Sequence, residues 1–304
     1  MRKSLALTLS AGLLLALSAC SASSSAADCS SGVPSGDASA LVSTTGDLGS
    51  TTTSTFPYPL VADNTEATVE IAGDGAPAGV GGIVNASYTL YDGSTGASGG
   101  APSAGLIIAS DSLPGGLGDV LACTPAGGRV SVVLPNDAAT QIVPGAPGSL
   151  VMVIDVLDAY PAAAKGVAQI TPSGFPGVVH GEDGRPGISI GSTTAPDEVK
   201  SAVLIKGEGA TVAEGDSLIL QSTAVSFDTK KVTSSTWADG KPVIWLMSDD
   251  ATATSGSTQP AGIVSELVGQ TVGSEVIVLI PGDTDAGTAA TAYVVDILGI
   301  IPAQ

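Results

Sequence analysis

The sequence predicts an α+β fold: two tandem domains, each an antiparallel β-sheet wrapped around one short α-helix. Three observations carry this. In the stretch Gly262 to Pro281, Ile263, Val264, Leu267 and Val268 form one apolar stripe at helical spacing, and Gly269 and Gly273 break the helix. Val276 to Ile280 is then a β-branched run, too short for a helix and suited to a buried strand. Gly116 to Pro135 repeats this order without a gap: Gly116, Leu117, Leu121, Gly127, Val130 and Pro135 stand on Gly262, Ile263, Leu267, Gly273, Val276 and Pro281. Two further anchors keep the order, Ile71-Ala-Gly-Asp-Gly-Ala with Ile205-Lys-Gly-Glu-Gly-Ala, and Met152-Val-Ile-Asp-Val-Leu with Tyr293-Val-Val-Asp-Ile-Leu. A displacement of roughly 140 residues is too long for a solenoid repeat and suits a duplicated domain.

The pattern divides the chain into a signal peptide over 1–20, a Ser/Ala/Thr-rich tether over 21–60, a first domain over 61–161, a turn-rich linker over 162–198 and a second domain over 199–304. In the first domain, 79–90 is a weak strand region and 91–102 a glycine-rich loop opened by the turn signal Asp92-Gly93. A strand over 106–109, a helix over 114–122 and strands over 130–134 and 150–157 follow. Leu41 to Thr45 adds a weak strand signal to this domain. In the linker, Val178-Val179 and Ile188 to Ile190 flank the turn Gly181-Glu-Asp-Gly184, which predicts a small hairpin spacer. The second domain carries strands over 203–205, 217–220, 243–247, 276–280 and 291–300, with Lys230-Lys231 at a turn. Strands with one short helix before the last two make an antiparallel sheet that wraps that helix.

Composition narrows the function. The formal charge is −19 over 304 residues, and about −21 once Arg2 and Lys3 leave with the signal peptide. The remaining cations are scattered, whereas phosphate binding needs them clustered, so nucleic acid is not an expected partner. His180 is the only histidine, and it falls in the linker turn, where a surface position is expected. No histidine-based triad fits both domains, and neither a metal site nor a cofactor is expected. Asp283-Thr-Asp285-Ala-Gly287 has the spacing of the start of a calcium loop but lacks the closing Glu, so it reads as a surface loop.

Arg2-Lys3 followed by the apolar run Leu5 to Leu17 has the form of a signal peptide, too short to span a bilayer as a mature helix. It ends in Leu17-Ser18-Ala19-Cys20, which resembles a bacterial lipobox. The resemblance implies lipidation of Cys20, with two acyl chains anchoring the protein at the extracytoplasmic face of the cell membrane. Cys29 and Cys123 are then an even remainder in an exported chain, either a disulfide or two free thiols.

The second copy's Gly207-Glu-Gly209, Glu214-Gly215-Asp216, Lys241-Pro242, Gly262 to Ser274, Val278-Leu-Ile-Pro281 and Tyr293-Val-Val-Asp-Ile-Leu resemble the FKBP-type peptidyl-prolyl cis-trans isomerases across the whole domain. The first copy keeps the same order more loosely, so the expected fold is two tandem FKBP-like domains. Together with the lipobox and tether, the pair is similar to double-domain actinobacterial lipoproteins of that type. The resemblance implies a monomeric, membrane-anchored folding factor that acts on proline-containing exported polypeptides through a dry apolar pocket, with no cofactor. Such a pocket favours the twisted amide over the planar one and so works on a barrier of roughly 18–20 kcal/mol without acid, base or metal.

Carried over residue by residue, the family's pocket changes. In the second copy its tryptophan floor becomes Ile263, its strand tyrosine Ser222, its wall phenylalanine and rim aspartate Val232 and Thr233, and its next wall Val243, with Trp245 two residues on. The rim tyrosine falls near Asp285, and the last-strand aromatic stays aromatic as Tyr293. In the first copy Leu117, Ala86, Met152 and Ala139 take the floor, strand, last-strand and rim positions. The pocket candidates are therefore Val232, Val243, Trp245, Ile263 and Tyr293, with activity expected mainly in the second domain and weak or lost in the first. Because most family pocket residues are replaced, the alternative is a non-catalytic binding or spacer module of the same fold.

Overall fold

The computed structural model describes residues 32–248, 259–283 and 287–301. Its two halves are built alike, and both are antiparallel sheets that carry short helices. In the first repeat, β1 (Ser43–Thr45) and β2 (Thr53–Thr55) form a separate hairpin. The sheet follows from β3 (Glu66–Ile71), β4 (Ile83–Asp92), β5 (Ser103–Ile108), β6 (Gly128–Leu134) and β7 (Leu150–Tyr160), with α1 (Leu117–Cys123) before β6 and α2 (Asn136–Ile142) after it. The strand order is β3-β6-β7-β4-β5.

The second repeat begins with β8 (Val167–Ala168) and the hairpin β9 (Gly177–His180) and β10 (Pro186–Ser189). Its sheet adds β11 (Lys200–Lys206), β12 (Ser217–Ser226), β13 (Val232–Ser235), β14 (Val243–Leu246), β15 (Glu275–Ile280) and β16 (Thr291–Ile301), with α3 (Thr236–Asp239) and α4 (Ile263–Leu267). In the order β13-β12-β16-β15-β11-β8, with β14 also on β12, the run β12-β16-β15-β11 reproduces β4-β7-β6-β3 of the first sheet, β13 and β14 share the place of β5, and β8 is an addition.

Alternation along each strand sets the layers. In β7, Leu150, Met152, Ile154 and Val156 pack with Leu117, Val120 and Leu121 of α1, while Val151 and Val153 join a second core on the other face. In β15, Val276 and Val278 pack with Ile263 and Leu267 of α4, while Ile277 and Leu279 face away. Each sheet therefore has a helix face and a hairpin face. In the first repeat the hairpin face is covered by Ala38, Val42, Phe56, Leu60 and Ala62. In the second it is covered by Phe175, Val178, Ile188 and Ile190.

This corrects the reading of 21–60 as a tether. From residue 32 onward the segment packs as the cap of the first sheet, held by Glu66, which accepts from the Ala38 and Ser39 N–H groups at 2.8 and 2.9 Å, and by Glu70, which accepts from Thr44. The strand expected near Leu41 to Thr45 forms at β1, but it pairs with β2 and not with the sheet. The spacer hairpin expected in the linker forms at β9 and β10 as the matching cap of the second sheet. Each repeat thus begins with its own capping hairpin.

Both sheets carry a bulge at the same place. The pairing of β4 with β7 shifts between Asn85 and Ala86, and that of β12 with β16 between Ile219 and Leu220, which leaves Leu157 and Leu298 outside the ladders. Leu298 joins Ile83, Tyr160 and Ile219 in the apolar contact between the repeats. Among the described residues no helix is long and apolar enough to cross a membrane.

Candidate functional site

The helix face of the second sheet gathers four of the five pocket residues expected from the sequence. Ile263 opens α4 right after Gly262, whose φ of 79° places it in the left-handed region. The Ile263 side chain is fully buried against Trp245, Met247, Leu218 and Leu267. Val243 and Tyr293 are half-buried and pack on the same cluster. Burial pushes the Tyr293 phenol above its ordinary pKa. Trp245, 5 % exposed, fills the space beside Ile263 and is part of the core. The rim position near Asp285 and the loop 249–258 lie outside the described residues.

Val232 is a correction. It lies on β13 at the edge of the sheet and is 60 % exposed. Its cross-strand partner is Val225, whose side chain belongs to the core on the hairpin face. Directly paired residues share a face, so Val232 points away from α4. β13 is bulged at this point, with Ala224 paired to Ser234 and Val225 to Val232, so the face of Val232 is set by the pairing and not by counting along the sequence.

In the first repeat the family's floor and wall positions are closed. Leu117, Ala86, Met152 and Ala139 are all buried in the core beneath α1. Beyond them the helix face opens into an apolar cavity of about 370 Å³, lined among others by Leu90, Val143, Ala146, Pro147 and Leu150. Leu90 and Leu150 come from paired strand ends, while Val143 to Pro147 come from the segment after α2. Asp92 sits at its edge, where its carboxylate accepts from the Ser94 N–H at 2.7 Å. The volume lies at the small end of the range for ligand pockets and suits a ring the size of proline with its neighbours. This cavity was missed in the sequence because 135–149 reads as a loop. The signal that could have found it is Pro135-Asn136-Asp137, a helix start.

The hairpin faces hold buried charge in matching places. In the first repeat Arg129 and Asp155 are cross-strand partners, and the guanidinium donates to both carboxylate oxygens at 2.5 and 2.9 Å and to the Gly46 and Asp47 carbonyls. The Asp155 hydrogen bond raises the Arg129 pKa further. In the second repeat the partners are Glu275 and Asp296. His180 lies at the surface, as expected, and from β9 its Nε2 comes within 2.8 Å of Glu275 Oε2, while Asp296 accepts from the Ala164 N–H at 2.8 Å. Burial pushes Asp296 up to about 8 and Glu275 up to about 7, with the neighbouring Glu275 charge also raising Asp296. Among the described residues no group of His, Cys, Asp and Glu is placed to hold a metal ion. Cys123, which ends α1, is disulfide-bonded, and Cys20 and Cys29 both lie outside the described residues.

No family model matches the sequence. No curated protein matches it either. Among solved structures, the three FKBP domains of wheat FKBP73 align with 78 % of this chain and 95 % of that one, at 13 % identity and a TM-score of 0.34. A peptidyl-prolyl cis-trans isomerase from Pseudomonas syringae aligns with 33 % of this chain and 77 % of its own, at 24 % identity and a TM-score of 0.28. FkpA from Escherichia coli aligns with 42 % of this chain, which spans 53 % of FkpA, at 14 % identity and a TM-score of 0.29. The similarity is to FKBP-type isomerases, including ones with several FKBP domains, and it is a similarity of fold.

Proposed function

We propose that this chain is an extracytoplasmic peptidyl-prolyl cis-trans isomerase and folding factor, anchored to the cell membrane through a lipid on Cys20 and acting on proline-containing exported polypeptides. The observation that carries the reading is the apolar cavity of about 370 Å³ at the open end of the first repeat's helix face. Its lining offers no acid or base positioned for proton transfer. A prolyl amide needs none, because an apolar surround favours the less polar twisted state and lowers the barrier to rotation. Asp92 at the edge is placed to accept a backbone N–H of the bound segment. The reading shifts the working pocket from the second repeat to the first, since Ile263 and Trp245 are taken up in the second core. The lipobox at Leu17 to Cys20 supports the anchor.

The experiment is a proline-limited refolding assay with the mature chain. Acceleration of the slow phase is expected, and Ala146→Trp, which fills the cavity, is expected to remove it. A slow phase unchanged at large molar amounts overturns catalysis. A second reading, a non-catalytic binding module, is favoured by the closed floors at Leu117 and Ile263. Under that reading a labelled proline peptide binds the chain, and Ala146→Trp blocks the binding, while the slow phase does not change.

A further inference from the structure

The two repeats differ most in chemistry where they agree most in geometry. Across the first sheet runs the register row Ile71, Arg129, Asp155, Ser87, and across the second the row Ile205, Glu275, Asp296, Gln221. Both rows lie under the capping hairpin. In the first, a cation faces an anion, and the charge is closed by Gly46 and Asp47 carbonyls on one side and the Gly49 N–H on Asp155 on the other. In the second, two carboxyls face one another, each no more than 1 % exposed. Two buried carboxylates side by side cannot both stay ionised, so one of them holds a proton. Glu275 and Asp296 are direct cross-strand partners buried on the same face, so each resists ionising beside the other.

The surroundings leave that proton as the principal neutraliser. From β9 the pair meets His180, which bonds to Glu275. From the segment leaving the first repeat it meets the Ala164 N–H. From β11 its register neighbour is Ile205, and from β12 it is the uncharged Gln221, whose side chain is taken by Thr236. Arg185 and Asp183 at the hairpin's turn pair with each other. Among the described residues no lysine or arginine bonds to either carboxyl. Asp296 Oδ1 is buried with no partner among them, so it gains nothing to offset a second charge.

We propose that His180, Glu275 and Asp296 form a proton-held clasp that keeps the hairpin 177–189 on the back of the second sheet and loosens it when the proton shared by the two carboxyls is lost. The closed hairpin keeps His180 over Glu275 and binds a proton that the open one, with Glu275 reached by water, releases. Opening therefore becomes easier as pH rises from the ordinary carboxylate range to the raised values, and levels off above them. The consequence reaches beyond the hairpin. Gly184 in its turn packs beside Trp237, Arg185 donates to the Trp237 carbonyl, and both Asp183 and Arg185 wall the cleft between the repeats with Val80, Ile108 and Ala162. Release of the clasp removes one wall of that cleft.

Hydrogen exchange of the full mature chain between pH 5 and 9, corrected for intrinsic rates, reads this directly. The open fraction of 177–189 is expected to rise about tenfold per pH unit over the lower part of that range and to flatten near its upper end. The hairpin 43–55, closed by Arg129 and Asp155, is the internal control and is expected to show no such rise. Asp296→Asn and, independently, Glu275→Gln keep the shape while removing one of the two facing carboxyls, and each is expected to lower the slope, because the carboxyl that remains stays buried but no longer faces a second charge. A flat profile in the unmodified chain, an equal slope in the hairpin 43–55, or an unchanged slope in both variants overturns the proposal.

Discussion

Tyr160 occupies the space that a side chain on Gly299 would need. A Cβ added at Gly299 would lie 2.1 Å from Tyr160 Cδ1. The ring comes from the last strand of the first sheet, and the glycine stands beside the bulge in the last strand of the second. A duplicated fold has built its inter-repeat joint at its own irregularity, with Leu298 turned into the joint and the next residue kept small. Gly299→Ala is expected to destabilise the chain by about 1–3 kcal/mol through overpacking, read as a lowered urea midpoint. The phenol behaves differently. Tyr160 Oη is buried without a partner among the described residues, and burial pushes its pKa up to about 12. Tyr160→Phe removes a polar atom that satisfies nothing, so it is expected to leave stability unchanged or raise it. A large loss in the phenylalanine variant would show that the hydroxyl has a partner in solution.

Arg129 and Asp155 make the opposite kind of contact. Their side chains are only 2 % and 3 % exposed, and the guanidinium ties the sheet to two carbonyls of the capping segment. Removing one partner leaves a buried charge alone, so Arg129→Ala is expected to cost about 3–5 kcal/mol. The same variant is expected to raise exchange in 43–55, because the cap loses its anchor. Replacing Arg129 and Asp155 together by apolar residues of similar volume is expected to recover much of the stability while leaving the cap looser. Equal loss in the single and double variants would show that the pair does not act as a unit.

Strands and helices inside the repeats were legible because their signals are local. Val276 to Ile280 could bury both faces only as a central strand, and Gly262 and Gly273 fix where α4 and its following turn lie. The hairpin 177–189 was legible from two β-type runs around a glycine turn. The segment 32–62 was not, because its anchors are distant polar ones: Glu66, Glu70, Asp155 and Arg129 reach it from the sheet, and its own residues are mostly Ser, Thr and Gly. The partner of the exposed His180 was not legible for the same reason, since Glu275 is 95 residues away in sequence. The site was half legible. Repeat matching placed Ile263, Val243, Trp245 and Tyr293 on one face, but which of them fill the core depends on side-chain volumes that a motif does not carry. Val232 failed because its face follows from the bulged pairing of an edge strand, which a motif does not carry.

Cys123 closes α1 in a disulfide, and the partner expected from the sequence is Cys29. That bond would tie the chain ahead of the cap to the end of the first repeat's helix. Non-reducing peptide mapping is expected to find Cys29 linked to Cys123, with Cys20 absent from the linked peptides. Reduction is expected to lower stability by about 2–5 kcal/mol, by freeing the unfolded chain from a long closed loop. A linkage through Cys20 would remove the lipid site and with it the proposed anchor.

The carboxyl pair also leaves a mark on global stability, and its sign is opposite to that of an ordinary salt-bridged acid. Burial pushes both Asp296 and Glu275 above the unfolded range of about 4, with the facing charge adding to the shift on Asp296. Their contribution is complete below about pH 4 and is lost as pH rises through the raised folded values. Asp296→Asn cannot ionise, so its stability relative to the unmodified chain is expected to improve with pH. For one proton the ratio of the two unfolding constants changes by about tenfold per pH unit across the window between the unfolded and folded values. Urea titrations of both chains at pH 5, 7 and 9 give that ratio directly, and taking it cancels the titration of groups that do not face Asp296. Asp155→Asn, which leaves the buried Arg129 without its charged partner, is expected to show a loss at all three. A constant difference between Asp296→Asn and the unmodified chain would mean that the pair carries no proton in the folded protein.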